Sequence, residues 1–242
     1  MEKLIAQSRT TEVADVGVRM SIGFGQTSLQ TDPYLNTTFE TLSIKTEWLT
    51  AAIRRTKAES DLEDGDENRD NKTRSVNYLI VGYTHHPNPV IKAAAVKLNT
   101  VFEKYGLKMT EESYASESTL INSLLMDFGN EEYQDAIAAL SGCAELIQEL
   151  QNAQEEFEII RVTWEREKGK EGALENATEL KKEVIAIINN KIVVYLMAMK
   201  EVNPEMYNEF ANTISVIIAE NNETVKRRAK KPEPEPVTKQ KE

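Results

Sequence analysis

The sequence predicts an all-α protein, an antiparallel multi-helix bundle of about seven to eight helices, on three observations. Apolar residues return every three or four positions along most of the chain, and no segment sustains the two-residue alternation of a half-buried strand. Asn-Pro or Asp-Pro pairs stand directly ahead of several periodic runs and glycine stands after others, the punctuation of helix starts and stops. With 40% apolar and 29% charged residues among 242, the composition is that of a globular chain able to bury a core without staples.

The first helix is expected from about Thr11 to Gln30, weakened by Gly17, Gly23 and Gly25, each of which lowers helix propensity by about 1 kcal/mol relative to Ala. Asp32 is placed to cap the next and Pro33 to open it, with Leu35, Phe39, Leu42, Trp48 and Leu49 following near helical spacing. The stretch DLEDGDENRDN, residues 61–71, carries six carboxylates in eleven positions. It reads as a solvated connection whose acids, such as Asp66 and Glu67, complement the N-terminus of the helix after it.

Beyond it Val76, Leu79, Ile80 and Tyr83 form one stripe, and HHPNP breaks the helix. Asn88 caps and Pro89 starts a helix with Ile91, Ala94, Ala95, Leu98, Phe102 and Tyr105 on one face and Gly106 just past its end. Thr110 is expected to cap a helix carrying Tyr114, Ile121, Leu124, Leu125 and Phe128, ended by Gly129. These two stripes fit an antiparallel hairpin.

Cys143, Leu146, Leu150, Ala153, Phe157, Ile160 and Trp164 then step by threes and fours, the seam of a long helix packed nearly parallel to another. GKEGALEN interrupts it. The last pair runs from Asn176 to Met199 and, after KEVNP, from Pro204 with Met206, Tyr207, Phe210, Ile214, Ile217 and Ile218 on one face.

Shifting the chain by 116 residues lays Val76 on Ile192, Leu79 on Tyr195, Ile80 on Leu196, Tyr83 on Met199, Ile91 on Tyr207, Leu98 on Ile214, Val101 on Ile217 and Phe102 on Ile218. The echo suggests two pseudo-repeated helical hairpins. We therefore expect one bundle domain over residues 1–225, with halves 1–129 and 130–225, and a basic, proline-rich tail at 226–242 too poor in apolar residues to order.

Net charge is −11; the tail holds seven Lys or Arg against three Glu, so residues 1–225 carry −15. Such a body repels phosphate backbones, which leaves the tail as the place for nucleic-acid contact. The longest apolar stretch, VIAIINNKIVVYLMAM at 184–199, has Asn189, Asn190 and Lys191 at its middle, too short and too polar to cross a bilayer. One cysteine and no apolar leader point to a reducing cytoplasm.

Candidate sites are few. A calcium loop started at Asp64 fits with Asp66, Asn68 and Asp70, but Arg69 stands where the sharp turn needs glycine and Ser75 where the bidentate Glu belongs. His85 and His86 are adjacent and followed by Pro87, with no Glu-x-x-His pair for a helical metal site, so a turn role is the better reading. Cys143 has no histidine near it in sequence and reads as a buried seam residue. GFGQTS at 23–28 lacks the lysine of a phosphate loop. No catalytic, cofactor-binding or metal-ligating residue is assigned.

The runs NKTRSVNYLIVGYTHHPNPVIKAAAVKLNTVFEKYG, EESYASESTLINSLL and NAQEEFEIIRVTWEREKG together resemble an uncharacterised all-helical family of about this length from gut bacteria. The resemblance implies a helical fold and brings no activity or site residue with it. The leading expectation is a non-catalytic helical protein with a structural or interaction role, its partner surface a helix face left uncovered, above all the seam ending at Trp164. Its alternatives are an enzyme or small-ligand binder using carboxylates or tyrosines such as Tyr78, Tyr83 or Tyr195 in an interhelical pocket, and nucleic-acid association through the tail.

Overall fold

The computed structural model describes residues 1–169 and 176–230, and the described residues form helices and turns without a strand. In chain order the helices are α1 (Thr10–Gly25), α2 (Pro33–Tyr83), α3 (Pro89–Glu103), α4 (Tyr114–Phe128), α5 (Glu131–Ala139), α6 (Cys143–Lys168), α7 (Ala177–Ile187), α8 (Val193–Val202) and α9 (Pro204–Ala229). Short 3-10 turns lie at Ser28–Thr31 and Leu107–Glu111, and a π turn, Ile188–Ile192, joins α7 to α8 as one rod. The all-helical class holds.

The chain divides into two compact units, one of Met1–Arg55 with the described part of Lys170–Glu242, the other of Thr56–Gly169. The division falls at 55/56 and 169/170, not at 129/130, because α2 gives its first half to one unit and its second half to the other.

In the first unit α1, the start of α2, α7, α8 and α9 close around Val16, Met20, Leu42, Ile188, Leu196 and Ile214, each essentially inaccessible to solvent. Phe24 stacks on Phe39 at 4.2 Å, and Phe210 tilts against both at 5.9 and 5.7 Å. Asp32 caps α2 as expected, its Oδ1 accepting from the amides of Tyr34 at 2.9 Å and Leu35 at 3.1 Å. Trp48, expected on the core stripe, is 38% exposed instead, with Lys45 4.5 Å from its ring centre.

The second unit closes around Val76, Ile80, Leu98, Phe102, Ile121, Leu124, Phe128 and Leu150. Asn88 Oδ1 accepts from Val90 N at 2.9 Å, and Pro89 opens α3. Gly106 follows with φ +71°, the left-handed position only glycine takes freely. The cap of α4 is Ser113, not Thr110, which lies in the preceding 3-10 turn. Along the seam of α6 Cys143, Leu150, Ala153 and Phe157 are buried, and Leu146, Ile160 and Trp164 are half-buried.

The largest departure concerns residues 61–71, which are the interior of α2 rather than a connection. Ala58, Leu62, Arg69, Thr73, Val76 and Ile80 are all buried at helical spacing, which carries the core face straight through the acids. Gly65 serves close packing: a Cβ there would sit 3.1 Å from Ile160 Cδ1 and 3.6 Å from Phe157. No helix starts at Asp66 or Glu67, so neither complements one.

The two hairpins related by the 116-residue shift share most of their burial, Ile91, half-buried against a buried Tyr207, being the exception. Val76 and Ile192, Ile80 and Leu196, Leu98 and Ile214, Val101 and Ile217, and Phe102 and Ile218 are buried in both members of each pair. Asn203 repeats the role of Asn88, accepting from Met206 N at 3.3 Å ahead of Pro204.

The start of the tail expected at 226–242 is helical instead. Residues 226–229 are the last turn of α9, and residues 231–242 lie outside the described residues. Lys226 pairs with Glu2 at 3.5 Å, Arg227 with Glu223 at 2.9 Å and Arg228 with Glu12. Three of the seven basic residues counted for the tail are thus engaged by this chain's own acids.

Candidate functional site

Three polar constellations stand out, one in the second unit and two in the first. In the second unit α2 carries Arg69 inward among apolar neighbours, and its guanidinium is wholly buried. Burial of a charge is costly unless it is paired and bonded, and here both terminal nitrogens are, Nε alone being buried without a partner. Nη2 donates to Asp66 Oδ1 at 2.7 Å and to Glu117 Oε2, while Nη1 donates to Ser118 Oγ at 2.9 Å and Gln154 Oε1 at 3.3 Å. Phe157 closes the other side, its ring centre 3.7 Å from Cζ.

Asp70, one residue on, pairs with Arg74 at 2.7 Å. Its second oxygen, Oδ1, and Glu117 Oε1 are both buried without a donor. Two facing acceptors are satisfied by one proton, and the charges agree with that count. Arg69 balances Asp66 and Arg74 balances Asp70, so a neutral Glu117 leaves the buried group uncharged.

Burial first, then the hydrogen bond with Asp70, pushes Glu117 up to about 8, outweighing the opposite pull of Arg69. A neutral carboxyl still accepts from Arg69 through Oε2 and donates through Oε1. Burial likewise raises Asp66, partly offset by Arg69.

Oxygens of Asp66, Asp70 and Glu117 come within 4.8 Å of one another, a spacing that could hold a metal ion. The guanidinium already bridges Asp66 and Glu117, so an ion would have to settle against a fixed positive charge. The group is an arginine clamp that ties α2 to α4 and α6.

In the first unit the extended residues 3–5 are held by asparagine amides. Asn189, in the π turn, accepts from Leu4 N at 2.7 Å and donates to Leu4 O at 2.9 Å. Asn222 of α9 accepts from Ile5 N at 3.1 Å and donates to Lys3 O at 2.9 Å. In an extended chain the N–H and C=O of one residue face one edge, and those flanking it face the other. Both edges are therefore satisfied, with side-chain amides in place of neighbouring strands. Leu4 alone sends its side chain into the core, at 2% exposure.

A third group is saturated. Oδ2 of Asp32 accepts from the hydroxyls of Tyr195 and Tyr207, each at 2.7 Å. Burial alone would raise the carboxyl, but those hydroxyls and the two cap amides hold it below its usual range.

The residues weighed from sequence are scattered. Cys143 is buried, its thiol pushed up to about 11 by burial and Glu145, far from thiolate chemistry at neutral pH. His86 Nδ1 accepts from Asn88 N at 3.1 Å, and the ring stacks on Tyr83 at 5.7 Å, a turn role. Tyr78 is 63% exposed, Tyr83 belongs to the same unit, and Tyr195 lies in the other on Asp32. The cleft of about 320 Å³ beside Gly23, Leu29, Met206 and Phe210 is bordered by one carboxylate, Glu209. Arg69 and Asn222 were not anticipated; a charged or amide residue on a buried helical register was the available signal.

A family model described as a family of unknown function (DUF6261) matches residues 59–217. No curated protein and no solved structure matches the chain. The described helices include none long and apolar enough to cross a membrane.

Proposed function

The chain belongs to this family of unknown function, which supplies no activity to inherit, and we propose that it is a non-catalytic helical protein with a structural or macromolecular-interaction role. The observation that carries the reading is the asparagine pair on residues 3–5, which grips a polypeptide by its main chain. That is the chemistry of chain recognition, in which main-chain hydrogen bonds supply affinity and pockets for side chains supply selectivity. The ionisable groups support it from the other side. Glu117 at 1% exposure and Asp32 at 7% are spent on neighbours within the fold.

The test is affinity capture from soluble extract of the native host, with the full chain and a chain ending at residue 230. A protein recovered at fixed stoichiometry, which re-forms the complex from purified components, is the expected result. Saturable consumption of a small molecule by the purified protein would contradict the reading.

A further inference from the structure

We propose that the groove between the π turn Ile188–Ile192 and α9 is a binding site for an extended segment of a partner polypeptide, with residues 2–5 of this chain as its resident, displaceable occupant. The inference rests on the interaction role proposed above and names its site and ligand class.

The groove reads main chain. Asn189 and Asn222 engage N–H and C=O groups of residues 3–5 on both edges of the segment, contacts open to any sequence that lies extended, while Asn222 Nδ2 also donates to Glu2 Oε2 at 3.1 Å and Lys3 Nζ donates to Asn190 Oδ1 at 3.4 Å. One side chain is selected above the others, because Leu4 is buried and Ile5 half-buried whereas Glu2, Lys3 and Ala6 are exposed. The ligand class is an extended peptide with one leucine-sized residue among polar ones.

The groove is also built for a chain rather than for packing. Asn189 interrupts an apolar helix at a π turn, a device often found at functional positions. Asn222 is 1% exposed on the buried face of α9. With residues 3–5 gone, both amides lose main-chain partners that an apolar surface could not replace. Asn221 Nδ2 holds Ser8 Oγ at 2.8 Å, and Ser8 N turns back to Ile5 O at 3.1 Å. A cleft of about 390 Å³, bordered by Lys3, Thr178, Ile185 and Asn189, runs beside the segment and gives an incoming chain room to engage before exchange.

The tether keeps the resident segment at an effective concentration near millimolar, so a competing peptide binds weakly until that segment is unseated. The test uses the full chain with Leu4→Asp, which removes the apolar anchor, and a fluorescent peptide of residues 2–9 followed by anisotropy. Expected are saturable binding to the Leu4→Asp chain, at least about tenfold weaker binding to wild type, a drop equal to about 1.4 kcal/mol, and loss of binding when Asn189→Ala is added or the peptide carries Asp at its leucine.

A Leu4→Asp chain that keeps its helical circular dichroism yet binds no peptide, or binds both peptides alike, overturns the proposal. Hydrogen exchange on wild type gives an independent reading. The amides of Leu4 and Ile5 should exchange at least about tenfold faster than those of α9, through local opening; exchange at the rate of α9 overturns it. A concentration-dependent wild-type dimer abolished by Leu4→Asp would assign the groove to a second copy and overturn the partner assignment. Failure of peptide binding while host capture still returns a stoichiometric protein leaves the interaction role standing on another face; failure of both removes it.

Discussion

Arg69 places its guanidinium carbon 3.7 Å from the centre of the Phe157 ring, at zero exposure, between the carboxyls of Asp66 and Glu117. A cation so placed holds three helices in one arrangement. Replacing it with Met keeps the volume but strips Asp66 of its counter-charge and Ser118 and Gln154 of their donor. Breaking a buried pair from one side typically costs about 3–5 kcal/mol. Arg69→Met should lower the urea midpoint accordingly, and adding Asp66→Asn should recover part of the loss; an unchanged midpoint would show that the clamp contributes nothing.

Glu117 gives this clamp a pH dependence of definite sign. Its pKa rises from 4.5 in the unfolded chain to about 8 in the folded one, so the folded state binds the extra proton between those values. Its stabilisation is complete below about pH 4.5 and is lost as pH climbs through about 8. The stability of Glu117→Gln relative to wild type should therefore rise from pH 5 to pH 8 and level off above, about 8 being the turning point. Denaturation curves at three pH values decide it; a difference flat across that range contradicts a protonated Glu117.

Asp32 should matter through four hydrogen bonds at once. Asp32→Ala removes the cap of α2, worth about 0.5–2 kcal/mol, and strands the hydroxyls of Tyr195 and Tyr207. Tyr195→Phe and Tyr207→Phe should each cost about 1 kcal/mol, less than Asp32→Ala. Thermal melts of the three variants give the ranking, and a tyrosine change costlier than the aspartate change would refute this assignment.

Gly17 lies where a Cβ would come within 2.4 Å of Thr46 Oγ1 and 3.1 Å of its Cγ2. Thr46 is buried and stiff at its first torsion, so Gly17→Ala should destabilise by about 1–3 kcal/mol despite the better helix propensity of Ala. A melting temperature equal to or above wild type would mean that the two helices separate freely.

Much of this was legible in the sequence where local chemistry and the apolar period agree. Asp32-Pro33, Asn88-Pro89 and Asn203-Pro204 mark helix starts because a short polar acceptor followed by proline has few other uses. The misreadings fall where a polar residue holds a core position. Arg69 sits on the register of Leu62, Thr73, Val76 and Ile80, and its charge hid the helix beneath six acids. Those acids could be read as helix once one cation was seen to be buried among them. Asn222 was invisible for the same reason, since its partners are main-chain groups of Lys3 and Ile5 and the Glu2 carboxylate, all more than 200 residues away. Asn189 was visible as a polar break in an apolar run, but its role depends on where residues 3–5 lie. The short α5, with Ala136 and Ile137 buried, was missed because so few apolar residues establish no period.

The most direct test of the account is the set of backbone Cα chemical shifts of residues 61–71, recorded with and without millimolar calcium. A helix running unbroken through the acids, with Arg69 as its resident cation, predicts helical shifts at every position and no change on adding the ion. Random-coil shifts in that stretch, or saturable movement of the Asp66, Asp70 and Glu117 signals with calcium, would contradict it.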